Sequence, residues 1–429
     1  MSTTNTFTHT SLYALPSKSA LRAEFVGKKI DQLRTPALVV DRSRFKRNCE
    51  EVTAEAKKRG MLFRAHVKTH KTTEGTRLQV QAAGGVKATI CSTMIELWKI
   101  IEDGLVEEGL VDDILYSMPV GEDKISDLNL AQDKIGSKGV IRLMVDHPEQ
   151  IRLLTDFNEK EGRKQKWSVF VKVDGGGRRA GVPPTSQQLK DIIQAVLSSE
   201  QVEIFGFYSH FGQSYASDTL KKGSSYFEGE IDCVQSAAKV ARALGCKGDW
   251  VLSVGATPTA HAAVQEVEKA HNGLEGRLEL HAGCYCMCDL QQHATSLVPD
   301  SHLALTVVSK VVSVYPHRKE AMCDCGALGV SKDTGRYPGY GRLVSPERAV
   351  GKWDLGRISQ EHGTLVHRPD LPEGEFREGA DELKVGETVR LVPQHACLVC
   401  AGYPWMYVVD EEQGKGEEVV DVWVPWKGW

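Results

Sequence analysis

Ser168-Val169-Phe170-Val171-Lys172-Val173-Asp174 is a short, largely apolar run, and two stretches that follow it decide the fold class. In Ser186-Gln187-Gln188-Leu189-Lys190-Asp191-Ile192-Ile193-Gln194-Ala195-Val196-Leu197, apolar residues return every three or four positions, the period of an amphipathic helix. Val202-Glu203-Ile204-Phe205-Gly206-Phe207-Tyr208-Ser209-His210 is again strand-like. Strand, helix and strand in that order imply parallel pairing through a helical crossover. Moving outward, the same alternation predicts strands over Leu62–Lys68, Lys87–Ser92, Asp113–Met118, Ile141–Asp146, Trp250–Gly255 and Leu278–Cys284. Eight such units close as an α/β fold of the TIM type, a (β/α)8 barrel, with chemistry at the strands' C-terminal ends. Lys68, Asp174, His210 and Gly255 all fall at those ends.

After about Ser301 the texture changes to short alternating runs, Leu303–Ser313, Thr388–Val392, Trp405–Val409 and Val419–Trp426, separated by glycine, proline and charge. That predicts a mostly β domain over 301–429, following a barrel over 46–300. The segment 1–45 contains a further strand, Pro36–Asp41, expected to pair with the later domain. A chain of 429 residues is long enough for two cores. With 53 basic against 57 acidic residues and no basic cluster, neither nucleic acid nor a membrane surface is an expected partner; a small molecule is. Met1 to Lys18 is polar and lacks an apolar signal core, so a soluble, cytoplasmic protein is expected. The eleven cysteines then read as free thiols or metal ligands rather than as a disulfide framework.

Four constellations carry chemistry. Lys68, in Arg64-Ala65-His66-Val67-Lys68-Thr69-His70-Lys71, is placed where an amine could hold a carbonyl cofactor covalently, although spacing alone fits a solvated lysine better. Ser253-Val254-Gly255-Ala256-Thr257-Pro258-Thr259 follows the seventh strand and offers small residues and hydroxyls at a helix start, either a phosphate cradle or an ordinary capped turn. Asp174 to Val182 holds four glycines around Arg178 and Arg179, and Tyr208 with His210 share a strand face. The fourth is His395-Ala396-Cys397: read as a strand, it turns imidazole and thiolate to one side, where two ligands leave a zinc ion open positions. The alternating Cys284, Cys286 and Cys288, and Cys323 with Cys325, read as packing groups on strands.

These motifs, with Glu361-His362-Gly363 and the ending through Tyr407-Val408-Val409-Asp410 to Val422-Trp423, resemble in order and over nearly the whole chain the family of eukaryotic D-serine dehydratases and D-threonine aldolases. The ending is most similar to the fungal dehydratase branch. The resemblance implies an alanine-racemase-like barrel and the cofactors pyridoxal 5'-phosphate (PLP) and zinc. Lys68 would be the PLP-bonding and catalytic lysine. Arg179, Tyr208 and His210 would contact the cofactor ring or its substituents, Gly255 and Thr257 its phosphate, and His395 and Cys397 would bind the metal. It further implies a homodimer and an ammonia-lyase that converts D-serine to pyruvate and ammonia, with D-threonine as a further candidate substrate. Aldol cleavage of D-3-hydroxy amino acids to glycine and an aldehyde is the alternative. Ala65, Ala256 and Ala282 depart from the family pattern, as does the triple cysteine.

Overall fold

The computed structural model describes residues 10–82, 86–266, 273–368, 370–372 and 374–429, so the first nine residues of the polar amino terminus lie outside it. Two compact units emerge: one formed mainly by 49–283, the other by 15–48 together with 284–427. The changeover falls at Gly283 and Cys284 rather than at 300 and 301. Hydrogen bonds explain why: Asn48 Nδ2 donates to the carbonyls of Cys286 and His302, and Ala304 N–H to that of Met287, which ties 284–304 to the β unit.

Strand β1 (Ala37–Asp41) belongs to the β unit. The barrel strands are β2 (Leu62–His66), β3 (Ala88–Cys91), β4 (Asp113–Pro119), β5 (Val140–Val145), β6 (Trp167–Val173), β7 (Val202–Ser209), β8 (Trp250–Val254) and β9 (Gly276–Ala282). They pair in parallel, each with the next, and β9 returns to β2 to close the ring. Sequence read them well because strands buried on both faces are written as apolar runs, as in β6, where every residue is buried. The helices between them start where expected; Ser186 Oγ, for example, accepts the Leu189 amide at 3.2 Å as an N-cap.

Ile90, Leu115, Met144, Phe170, Tyr208 and Val251 form one apolar cluster of the barrel. Beside it lies a charge network. The buried Arg64 donates to Glu279 Oε1 at 2.8 Å and to Asp113 Oδ1 at 2.6 Å, and Arg142 reaches Asp113 Oδ2 at 2.8 Å. Removing one member strands an opposite charge away from water. Glu279→Ala is therefore expected to lower unfolding free energy by about 3–5 kcal/mol, read from the urea midpoint. A loss below about 1 kcal/mol would mean that Asp113 satisfies Arg64 alone.

The second unit is a nine-stranded sheet with β1 near one end. Its other strands are β10 (Leu305–Tyr315), β11 (Glu320–Cys323), β12 (Gly341–Ser345), β13 (Trp353–Ile358), β14 (Gly363–His367), β15 (Thr388–Pro393), β16 (Met406–Val409) and β17 (Asp421–Trp423). The first half of β10 pairs with β1, while its second half pairs with β11 beyond a register shift at Val311 and Ser313. That lets β10 to β15 close into an antiparallel ring, with β1, β16 and β17 continuing from its edge. Among the described residues no helix is long and apolar enough to cross a membrane.

Candidate active site

Barrel strands end where the chemistry-bearing residues begin. Lys68 stands two residues beyond β2 and is half-buried. Its stem runs past Gly283, where an added Cβ would meet Lys68 Cε at 3.3 Å, so a glycine there leaves the lysine its path. Lys71, the other lysine of the motif, is occupied: its Nζ lies 2.9 Å from the buried Glu96 carboxylate. His70 is structural, its ring nitrogens meeting Thr72 and Gln79.

Three imidazoles join Lys68 in the barrel unit. His66 Nδ1 accepts the Lys68 amide at 3.4 Å, and Nε2 pairs with Ser92 Oγ at 3.2 Å. His210 Nδ1 donates to the Gly255 carbonyl at 2.7 Å. His281 is reached through a relay. Ser253 Oγ donates to Glu279 Oε1 at 2.7 Å and therefore accepts from His281 Nδ1 at 3.0 Å, so Nε2 carries the lone pair. Burial, reinforced by neighbouring cations, holds all three rings well below the ordinary imidazole pKa, and they are neutral at pH 7.

The Tyr208 ring stacks on His281 at 4.0 Å and 12°, and Lys172 Nζ lies 4.2 Å from its centroid. Burial, with Arg179 nearby, pushes Lys172 down to about 7. Arg179 also acts on Tyr208 and His210, which distinguishes it from Arg178. Arg178 adopts a positive φ of 53° while its amide donates to Asp174 Oδ1 at 3.1 Å, shaping the glycine loop.

Gly255 follows β8 with φ 148°, and an added Cβ would lie 2.0 Å from the His281 carbonyl oxygen; only glycine fits. Its amide is engaged by Glu230, and the Ala256 amide by Thr259 Oγ1 at 2.7 Å. Donors toward an anion at the helix Thr257–Glu266 are therefore the first-turn amides of Thr257 and Thr259 and the Thr257 hydroxyl, rather than Gly255 itself. Pro258 has no amide to contribute.

In the β unit, the strand reading of His395 and Cys397 is corrected. β15 stops at Pro393, His395 is the extended N-cap residue, and Cys397 lies in the first turn of the helix Ala396–Gly402. The Asp289 carboxylate accepts the Ala396 amide at 2.7 Å and fixes that turn. The two side chains still meet through a hydrogen bond between imidazole and sulfur. Asp333 holds His395 Nδ1, so Nε2 is the ring nitrogen left for other partners. Burial opposes a charge on His395, but Cys397, Asp289 and Asp333 outweigh it and lift the ring to about 9. Cys284 to Cys286 form a 3-10 turn rather than a strand, and Cys284 hydrogen-bonds Cys397. Among the described residues no group of three or more His, Cys, Asp or Glu is set to hold a metal. Glu361 and His362 are exposed in the turn between β13 and β14.

The sequence profile described as "Putative serine dehydratase domain" matches residues 304–409, and "Alanine racemase, N-terminal domain" matches 40–273. Over 424 residues the chain is 38% identical to a protein named D-serine dehydratase from Schizosaccharomyces pombe, covering 97% of each. The chain belongs to the D-serine dehydratase family. A second D-serine dehydratase, from Saccharomyces cerevisiae, is 32% identical over 96% of this chain and 100% of that protein. Among solved structures, a cysteine-to-alanine mutant of D-threo-3-hydroxyaspartate dehydratase in a metal-free form superposes with a TM-score of 0.79 at 25% identity, covering 94% of this chain and 100% of that one. The alanine-racemase-like barrel and the strand-rich C-terminal unit are those of this D-serine dehydratase family.

Both groups that the family implies fit the residues present. A phosphorylated aromatic aldehyde needs an amine, a ring face, anion donors and a polar partner. The barrel unit supplies Lys68, the Tyr208 and His281 rings, the Thr257 helix start, and the buried His281 Nε2, which has no hydrogen-bond partner. A borderline metal with open positions suits one nitrogen and one sulfur whose imidazole is already held by a carboxylate. The sequence alone assigns no role to His281, Lys172, Asp289 or Asp333. Lys172 alone left a signal, as a lysine within an apolar strand.

Proposed function

We propose that this protein is a PLP- and zinc-dependent D-serine ammonia-lyase. It converts D-serine to pyruvate and ammonia; the water lost as the β-hydroxyl departs is regained when the amino group is released, so the net reaction needs no external oxidant or reductant. The observation that carries this reading is the assembly of Lys68 with Tyr208, His210 and His281 in the barrel unit of a chain 38% identical over 97% of its length to a D-serine dehydratase.

Lys68 and the donors of Thr257 and Thr259 would hold PLP, which when bound would supply a ring that accepts electron density from the substrate's Cα. The Lys68 amine takes the Cα proton as general base. Tyr208 is fixed by His281 on one face, and Arg179 and His210 line the ring's surroundings. Because burial holds their basicity low, His66, His210 and His281 compete weakly for the proton and add no charge beside Lys68. His395 and Cys397 would hold zinc, which would supply a Lewis acid for an oxygen leaving group, since hydroxide leaves poorly unaided. D-Threonine, which has the same β-hydroxyl, is a second proposed substrate; the protein is proposed to be a cytoplasmic homodimer.

The test is product analysis. Purified protein with PLP is incubated with D-serine and D-threonine before and after chelation, then with zinc restored. Pyruvate from D-serine, lost on chelation and recovered with zinc, is the expected result. Glycine plus an aldehyde would instead assign D-3-hydroxy amino acid cleavage.

A further inference from the structure

The helix Leu220–Ala243 carries a carboxyl that the chemistry above does not use. Glu230 is fully buried, and its Oε1 accepts the Phe211 amide at 2.7 Å. The Gly255 amide and the Thr259 hydroxyl add to the same carboxyl group, while Oε2 is buried with no hydrogen-bond partner. These groups come from two loops. Phe211 directly follows His210 beyond β7, whereas Gly255 and Thr259 flank the helix start beyond β8. The Gly255 peptide is thus held at both ends, its N–H by Glu230 and its carbonyl by His210.

We propose that Glu230 is a positioning residue for the phosphate end of the cofactor, an uncharged brace that fixes the Phe211 and Gly255 loops so that the first turn of Thr257–Glu266 presents its donors. This rests on the reading of the barrel unit as the PLP site. The brace has to be uncharged because a carboxylate beside a phosphate dianion repels it. Burial pushes Glu230 up to about 8, against the pull of the Phe211 amide, so it holds its proton at pH 7.

Bound phosphate favours the neutral carboxyl further, so phosphate binding and protonation of Glu230 reinforce each other. Above pH 8 the free protein loses that proton, and binding has to restore it, which weakens affinity about tenfold per pH unit. Other ionisable groups face Glu230. Lys172 from β6 loses its charge near pH 7, Tyr208 from β7 is held neutral, and Cys233 lies on the same helix with its thiol pushed up to about 11. A comparison at fixed Lys172, Tyr208 and Cys233 isolates Glu230.

Pyridoxine 5'-phosphate is the probe, because it keeps the ring and phosphate yet lacks the aldehyde and needs no bond to Lys68. Its dissociation constant is measured by fluorescence from pH 7 to 9.5 for the wild type and Glu230→Gln, whose amide retains an acceptor and a donor but does not titrate. Wild-type affinity is expected to fall about fivefold between pH 8 and pH 9 and to approach tenfold per unit above that. The Gln variant is expected to match the wild type within about twofold at pH 7 and to lose this pH step. Parallel profiles for both proteins overturn the role of Glu230 while leaving the site reading intact. No binding by the wild type at any pH overturns the site reading itself. Should Glu230→Gln fail to fold, Glu230→Ala serves: it is expected to bind more weakly at pH 7 with the same flat profile, and a retained pH step overturns the inference.

Discussion

Lys68→Ala is expected to reduce pyruvate formation from D-serine by on the order of 10⁴-fold or more, with loss of the visible absorbance of bound PLP. The size of the effect follows from two roles meeting in one amine, covalent retention of the cofactor and removal of the Cα proton. No neighbour is placed to take over both. Lys71 is paired with Glu96, and Lys172 is buried against the Tyr208 ring on β6. Lys71→Ala is the matched control and should leave the absorbance band in place, because its partner is a structural carboxylate in the helix Met94–Glu102. Removing Lys68 takes away a half-buried side chain, so the thermal midpoint should lie within about 2 °C of that of wild type stripped of PLP. Retention of a tenth of wild-type activity by Lys68→Ala would assign the base elsewhere, with Lys172 the first residue to substitute next.

The barrel was legible because its strands are buried on both faces, which leaves little choice but Val, Ile, Leu and Phe. Short half-exposed strands leave no such record. Glu320–Cys323, Gly341–Ser345, Trp353–Ile358 and Gly363–His367 hold charged residues and glycines at positions facing solvent or bulges, and they read as separators between strands. Lys68, Tyr208 and His210 are legible as candidates because each sits at or near a strand end, a position that the alternation of strand and helix defines. His395 and Cys397 read as a pair on a strand, whereas the structure pairs them at a helix start. What turns Ala396 into a helix start is the Asp289 carboxylate, 107 residues away in sequence, and a spacing of i and i+2 holds no trace of it. His281 is similar: Glu279 and His281 share one face of β9, but only packing reveals that Ser253 fixes the ring and Tyr208 covers it.

Cys397→Ala is expected to bring bound metal from about one ion per chain to a small fraction of that, and to cut D-serine turnover by on the order of 10³-fold while leaving the Lys68-dependent absorbance intact. With only two protein ligands, losing the sulfur leaves His395 alone, which is too little to hold zinc. Cys284 is the residue that tests this logic. Its thiol hydrogen-bonds Cys397 and lies 3.5 Å from both Asp289 Oδ2 and Gln292 Oε1, so it is the nearest available substitute. If Cys397→Ala keeps its metal and Cys397→Ala with Cys284→Ser loses it, Cys284 has taken over as a ligand. Asp333→Asn isolates the orienting contact, because the amide keeps the size but not the charge that holds His395 Nδ1; metal affinity should fall about 10–100-fold. Added zinc should then rescue Asp333→Asn at high concentration and fail to rescue Cys397→Ala. Full turnover by metal-depleted Cys397→Ala would separate the His395 and Cys397 pair from the chemistry altogether and leave elimination to the barrel residues alone.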